Sequence, residues 1–130
     1  MRSARILRFG TFEIDLVNAE VRRRGFRVHL QEMPLQVLFM LLERPGELVR
    51  RDDFYTRLWP DDELGILDDN LNTAVRKLRV ALDDSPRNPR FVETVPKRGY
   101  RFIAPVTSEA EPNPVESLGD SDKTFAEISA

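Results

Sequence analysis

The apolar residues of this 130-residue chain change their spacing twice, and that order limits the folds open to it. Over residues 6–30 they nearly alternate with polar ones, as in Phe12-Glu13-Ile14-Asp15 and Phe26-Arg27-Val28-His29-Leu30. Asn18 and Gly25 stand between the runs at places suited to turns, so three or four short antiparallel strands are expected. From Met33 the spacing becomes helical. Leu35, Leu38 and Leu42, with Val37, Phe39, Met40 and Leu41 between them, make a helix apolar on most sides. Pro34 fits its first turn and Pro45-Gly46 stops it. A second helix is expected at about residues 52–59, with Asp52 and Asp53 at its positive end, Phe54, Leu58 and Trp59 buried, and Pro60 beyond. Leu71, Val75, Leu78 and Leu82, spaced 4, 3 and 4, mark a third helix with Asp68, Asp69 or Asn70 as its N-cap. After Pro86 and Pro89 alternation returns: residues 91–95 and 100–103 flank Pro96-Lys97-Arg98-Gly99, which reads as a hairpin with a basic tip. The order of strands, three helices and a closing hairpin describes an α+β domain over residues 1–106.

Residues 107–130 hold Pro112, Pro114, Gly119 and four serines and show no sustained apolar period, so they are expected to form a disordered acidic tail or linker. The tail also hides a charge asymmetry. The whole chain carries −2, but the tail has six carboxylates against Lys123 alone, which leaves the body at +3. An excess that small attracts a phosphate backbone only where the cations cluster.

The absence of cysteine removes disulfide frameworks, thiolate metal sites and cysteine nucleophiles. A single histidine, His29, read as a strand residue, rules out a histidine metal cluster or triad within one chain. No stretch approaches the roughly 20 apolar residues that span a bilayer, and no signal-like apolar run follows Met1, so a soluble, cytoplasmic chain is expected. No cofactor is implied.

On a helical wheel Leu71, Val75, Leu78 and Leu82 fall within about 60°, while Asp69, Thr73, Arg76 and Val80 lie opposite and Asn72 and Lys77 flank them. Arg76 and Lys77 suit guanine O6 and N7, Asn72 suits adenine N6 and N7, and the Thr73 methyl suits thymine. An ordinary solvated face would carry similar residues. The hairpin adds Lys97, Arg98 and Arg101, with Arg87 and Arg90 in the connection before it. A helix with a polar, basic outer face followed by a basic hairpin offers one element to the major groove and one to phosphates or the minor groove. A solubilising turn is the plainer alternative for the hairpin.

Three segments in order resemble the winged-helix DNA-binding domains of OmpR/PhoB-type transcription regulators. They are Gly46 to Phe54 with Leu58-Trp59-Pro60, Asn70-Leu71-Asn72 through Val75 to Leu82, and Phe91 to Phe102. The resemblance implies a four-stranded N-terminal sheet, three helices with the third as recognition helix, and a C-terminal wing. Many members carry Arg-Gly where this chain has Pro96-Lys97, so an arginine contact from that position does not transfer, and Lys97 and Arg98 are the local substitutes. The Val-Pro-Lys-Arg-Gly-Tyr form is similar to the CadC- and ToxR-like branch, in which the DNA-binding domain precedes a sensor and a longer parent could be membrane-anchored. The connection at residues 60–69 contacts RNA polymerase in several relatives, which offers Asp61, Asp62, Glu63, Leu64 and Ile66 for that role; Leu64, Ile66 and Leu67 could equally be core. Its five carboxylates also admit a divalent-metal site for phosphodiester chemistry, without a histidine or lysine constellation to accompany it.

The expected function is sequence-specific binding of double-stranded DNA for regulation of transcription, without catalysis. Asn72, Thr73, Arg76 and Lys77 would read bases, and Arg79, Thr94, Lys97, Arg98 and Arg101 would hold phosphates or enter the minor groove. A winged helix used only for protein contacts is the rival. With no heptad run for a strong dimer, the free chain is expected to be mostly monomeric. The resemblance implies two copies in tandem on a direct-repeat operator. Arg22, Arg23, Arg24 and Arg27 read as an exposed basic turn in the N-terminal sheet, and Trp59 and Tyr100 as core, with the Tyr100 hydroxyl bonded at the edge.

Overall fold

The computed structural model describes residues 5–110. Four strands come first, β1 (Arg5–Phe9), β2 (Phe12–Asp15), β3 (Glu20–Arg23) and β4 (Phe26–Val28), each antiparallel to the one before. Their inward residues Leu7, Phe9, Phe12, Ile14 and Val21 are buried, as the alternation requires. The turn after β3 places Arg24 and Gly25 at positive φ, which explains the glycine there. His29 falls just past β4 instead of within a strand.

Helix α1 (Glu32–Glu43) buries Pro34, Leu35, Val37, Leu38, Met40, Leu41 and Leu42 and forms the centre of the core. A three-residue strand, β5 (Leu48–Arg50), leads directly into α2 (Arg51–Leu58), which buries Phe54. Helix α3 (Leu64–Leu82) begins well before the expected caps. Its N-cap is Glu63, because Leu67, four residues before Leu71, extends the buried stripe by one turn. Asn70, expected to cap, lies inside the helix and donates from Nδ2 to Asp62 Oδ2 at 3.0 Å. The connection between α2 and α3 therefore shrinks to residues 59–63, and Leu64 and Ile66 sit on the first turn of α3.

The hairpin forms as β6 (Val92–Val95) and β7 (Gly99–Phe102), and β5 joins it in a three-stranded sheet of order β5-β7-β6. A Cβ on Gly99 would run into the Val49 carbonyl, so the close approach of β5 and β7 needs glycine there. Asp84, just after α3, accepts the backbone N–H groups of Arg90, Phe91 and Val92 at 2.7, 3.2 and 2.9 Å, fixing the path from helix to hairpin. Phe9, Phe12, Phe91 and Phe102 then lock the hairpin onto the N-terminal sheet, with ring centroids 4.8 Å apart for Phe9 and Phe102 and 5.7 Å for Phe12 and Phe91.

The C-terminal boundary of the domain also differs from expectation. Thr107–Ala110 form β8, antiparallel to β1, so the first sheet has five strands in the order β4-β3-β2-β1-β8 and the fold extends four residues into the expected tail. The rest of that expected tail lies outside the described residues. Among the described residues no helix is long and apolar enough to cross a membrane.

Candidate nucleic-acid interface

Helix α3 shows its predicted outer face. Asn72, Arg76 and Lys77 are exposed, Thr73 is half-buried, and Val80, at the middle of the face, is 76% exposed. Arg76 has no hydrogen bond or ion pair among the described residues. Lys77 reaches the start of α1, its Nζ donating to Gln31 Oε1 at 2.9 Å. The opposite flank turns toward the wing, where Asn72 meets Arg51 and Tyr100.

Two residues expected on phosphates have other partners. Arg79 is buried against the wing and donates from Nη2 to Val92 O and Thr94 Oγ1, both at 2.8 Å, so it joins α3 to β6. Arg101 donates from Nε to Glu93 Oε1 at 2.8 Å across the β6–β7 pair, which neutralises its charge. Thr94 remains exposed, and its hydroxyl keeps its proton to donate while accepting from Arg79. Lys97 and Arg98 are exposed at the hairpin tip, and their side chains have no hydrogen bond or ion pair among the described residues. Lys97 sits at φ 67, a left-handed conformation that a glycine would adopt at lower cost.

An open groove of about 660 Å³ separates α2 from the hairpin tip, bordered by Arg50, Arg51, Asn72, Lys97 and Arg98 over Tyr55 and Asp68. The Arg51 backbone N–H donates to Arg98 O at 3.0 Å, so the first residue of α2 is tied to the tip. Its guanidinium donates from Nε to the Tyr55 hydroxyl at 2.9 Å, from Nη1 to the Tyr100 hydroxyl at 3.3 Å, and from Nη2 to Asp68 Oδ1 and Asn72 Oδ1 at 3.3 and 2.9 Å. The Tyr55 hydroxyl donates to Asp68 in turn. That bond, with Arg51 beside it, holds the Asp68 carboxyl below its ordinary range. Burial and the same carboxylate push the Tyr55 hydroxyl up. Burial opposes the Arg51 charge, yet its bonds to Tyr55 and Tyr100 raise its pKa overall.

Arg50 and Arg51 were missed as site residues by sequence reasoning. The signal was available: two cations at the positive N-terminal end of a helix are electrostatically misplaced unless something else requires them. The five carboxylates of residues 60–69 do not converge. Asp62 takes Asn70 and Asp68 takes Tyr55 and Arg51, and no group of three or more potential ligands among the described residues is placed to hold a metal. Leu67 is core, whereas Leu64 is 83% and Ile66 49% exposed beside Asp61, Asp62 and Glu63. Trp59 is partly buried against the core, and Tyr100 is buried with its hydroxyl at the edge of the groove, both as expected. Of the N-terminal arginines, Arg22 pairs with Glu20 at 2.9 Å and Arg23 with Asp83 at 3.8 Å, away from this face.

Residues 25–102 match the family described as "Transcriptional regulatory protein, C terminal". The chain belongs to this family. The Vibrio cholerae cholera toxin transcriptional activator is 38% identical over 87 residues, which is 67% of this chain and 30% of that protein. The chain thus spans under a third of that relative's length. The Klebsiella pneumoniae RstA DNA-binding domain, solved in complex with the RstA box, superposes with a TM-score of 0.67 at 30% identity, covering 75% of this chain and 96% of that one. The DNA-binding domain of E. coli CadC has the same fold, with a TM-score of 0.59 at 21% identity, covering 82% of this chain and 98% of that one. In the winged-helix fold that these neighbours share, β6–β7 is the wing and α3 the helix before it, and the matched residues take in both.

Proposed function

We propose that the chain is a sequence-specific, double-stranded DNA-binding module of a transcription regulator, without chemistry of its own. The observation that carries this reading is the groove that Asn72 of α3 shares with Lys97 and Arg98 of the wing tip, with exposed Arg76 one turn along α3; none of the three cations has an ion pair among the described residues. In this reading Arg76, Lys77, Thr73 and Asn72 approach base edges in the major groove, while Arg50, Thr94, Lys97 and Arg98 meet phosphates or the neighbouring minor groove. Arg79 leaves the contact set in this reading because it is buried against β6, and Arg101 because Glu93 balances its charge. A duplex selection from random sequence tests the reading: an enriched consensus supports it, and an unenriched pool refutes it.

The exposed Leu64 and Ile66 beside three carboxylates favour a protein contact on the same molecule, and RNA polymerase is the proposed partner. Leu64→Ser with Ile66→Ser should preserve duplex binding and lose activation of a reporter. Loss of duplex binding would place those residues on the DNA. Two copies arranged in tandem on a direct repeat, from a mostly monomeric free chain acting in the cytoplasm, complete the proposal.

A further inference from the structure

The amide of Asn72 is not free to present both of its halves. Its Oδ1 accepts from Arg51 Nη2 at 2.9 Å and from the Tyr100 hydroxyl at 3.4 Å, which occupies both lone pairs. A guanidinium has donors only, so the amide must turn its oxygen toward Arg51 and its NH₂ away. Nδ2 has no acceptor among the described residues, and Asn72 is exposed. Arg51 cannot easily yield, because Tyr55, Tyr100 and Asp68 also hold its guanidinium and its backbone is bonded to Arg98.

Adenine offers a donor and an acceptor side by side in the major groove, and an asparagine bridges them only if its oxygen and its NH₂ are both free. Guanine offers two acceptors, O6 and N7, and thymine offers O4, whereas adenine's one acceptor, N7, stands beside the N6 amino group, which an outward NH₂ meets donor to donor. Resting on the DNA-binding reading above, we propose that Asn72 is a donor-only specificity residue that selects a keto base, guanine or thymine, and discriminates against adenine, with Arg51 as the positioning residue that imposes this.

Selection from random duplexes with the full chain and three variants tests it. Asn72→Ala should flatten one position at which the parent prefers guanine or thymine over adenine by about ten-fold. Asn72→Asp replaces the outward NH₂ with an acceptor, so the same position should switch toward the amino bases cytosine and adenine. Arg51→Met frees the lone pair of Oδ1 that Arg51 holds and should admit adenine there; should that variant fail to fold, the two Asn72 variants decide. Adenine as the parent's base at that position would overturn the proposal. So would a uniform loss of affinity with Asn72→Ala and no change in base preference, which would put the amide on a phosphate. In both cases the parent still binds DNA. A parent that enriches no sequence would instead remove the reading beneath.

Discussion

Arg76 and Arg79 stand three residues apart on α3 and face opposite environments. Arg76 projects outward without a partner among the described residues, while Arg79 lies under the wing with two hydrogen bonds to β6. The two arginines should therefore fail in different assays. Arg76→Ala should cost about 1–3 kcal/mol on the preferred duplex and flatten one base position, with the urea midpoint unchanged. Arg79→Ala leaves the buried Val92 carbonyl without its donor and should cost about 1–3 kcal/mol in urea unfolding. Equal stability losses would mean that Arg76 also packs. A helical wheel reports angle alone, and it sets Arg79 about 100° from Val80 and about 40° from Val75; what covers that flank is set by the wing, which the wheel does not contain. The partners of Arg51 were illegible for a similar reason. Its four side-chain partners come from α2, α3 and β7, and only the assembled fold brings them together.

At the level of elements, the long apolar periods were legible and the short or backbone-held pieces were not. Helices α1 and α2 fall within a residue or so of the spacing argument, since their stripes are uninterrupted. The start of α3 was missed because Gly65 and the carboxylates imitate a loop while Leu67 continues the stripe. Strand β5 is three residues long, too short for a period to show. Strand β8 has the sequence Thr-Ser-Glu-Ala without apolar alternation, and it is its backbone pairing with the edge of β1 that defines it. A chain ending at residue 106 should accordingly melt about 4–8 °C below one ending at 110, the shift of roughly 1 kcal/mol in a domain near 100 residues. Identical melting would return residues 107–110 to the linker. The wing tip carries a second consequence. Lys97 occupies a left-handed position at which glycine costs less, so Lys97→Gly should stabilise the fold by about 0.5–1 kcal/mol while weakening duplex binding. Stabilisation with full binding would remove Lys97 from the interface.

At the scale of the whole molecule, two sheets and three helices share one core, and Asn72 of α3 borders the same groove as Lys97 and Arg98 of the wing tip. Two copies in tandem need half-sites about one helical turn, roughly 10–11 bp, apart. Inserting about 5 bp should abolish cooperative binding by turning the second copy to the other side of the duplex. Cooperativity that survives the insertion would contradict the tandem arrangement and leave the interface in place. The interface itself is tested most directly by titrating the chain against a selected duplex and a scrambled one across a series of salt concentrations. With Arg50, Lys97 and Arg98 each neutralising one phosphate, log K should fall with log salt at a slope of about −3 per copy. The selected duplex should bind at least about 10³-fold tighter than the scrambled one. A flat salt dependence, or equal affinity for the two duplexes, would contradict the reading of this face as a sequence-specific DNA-binding surface.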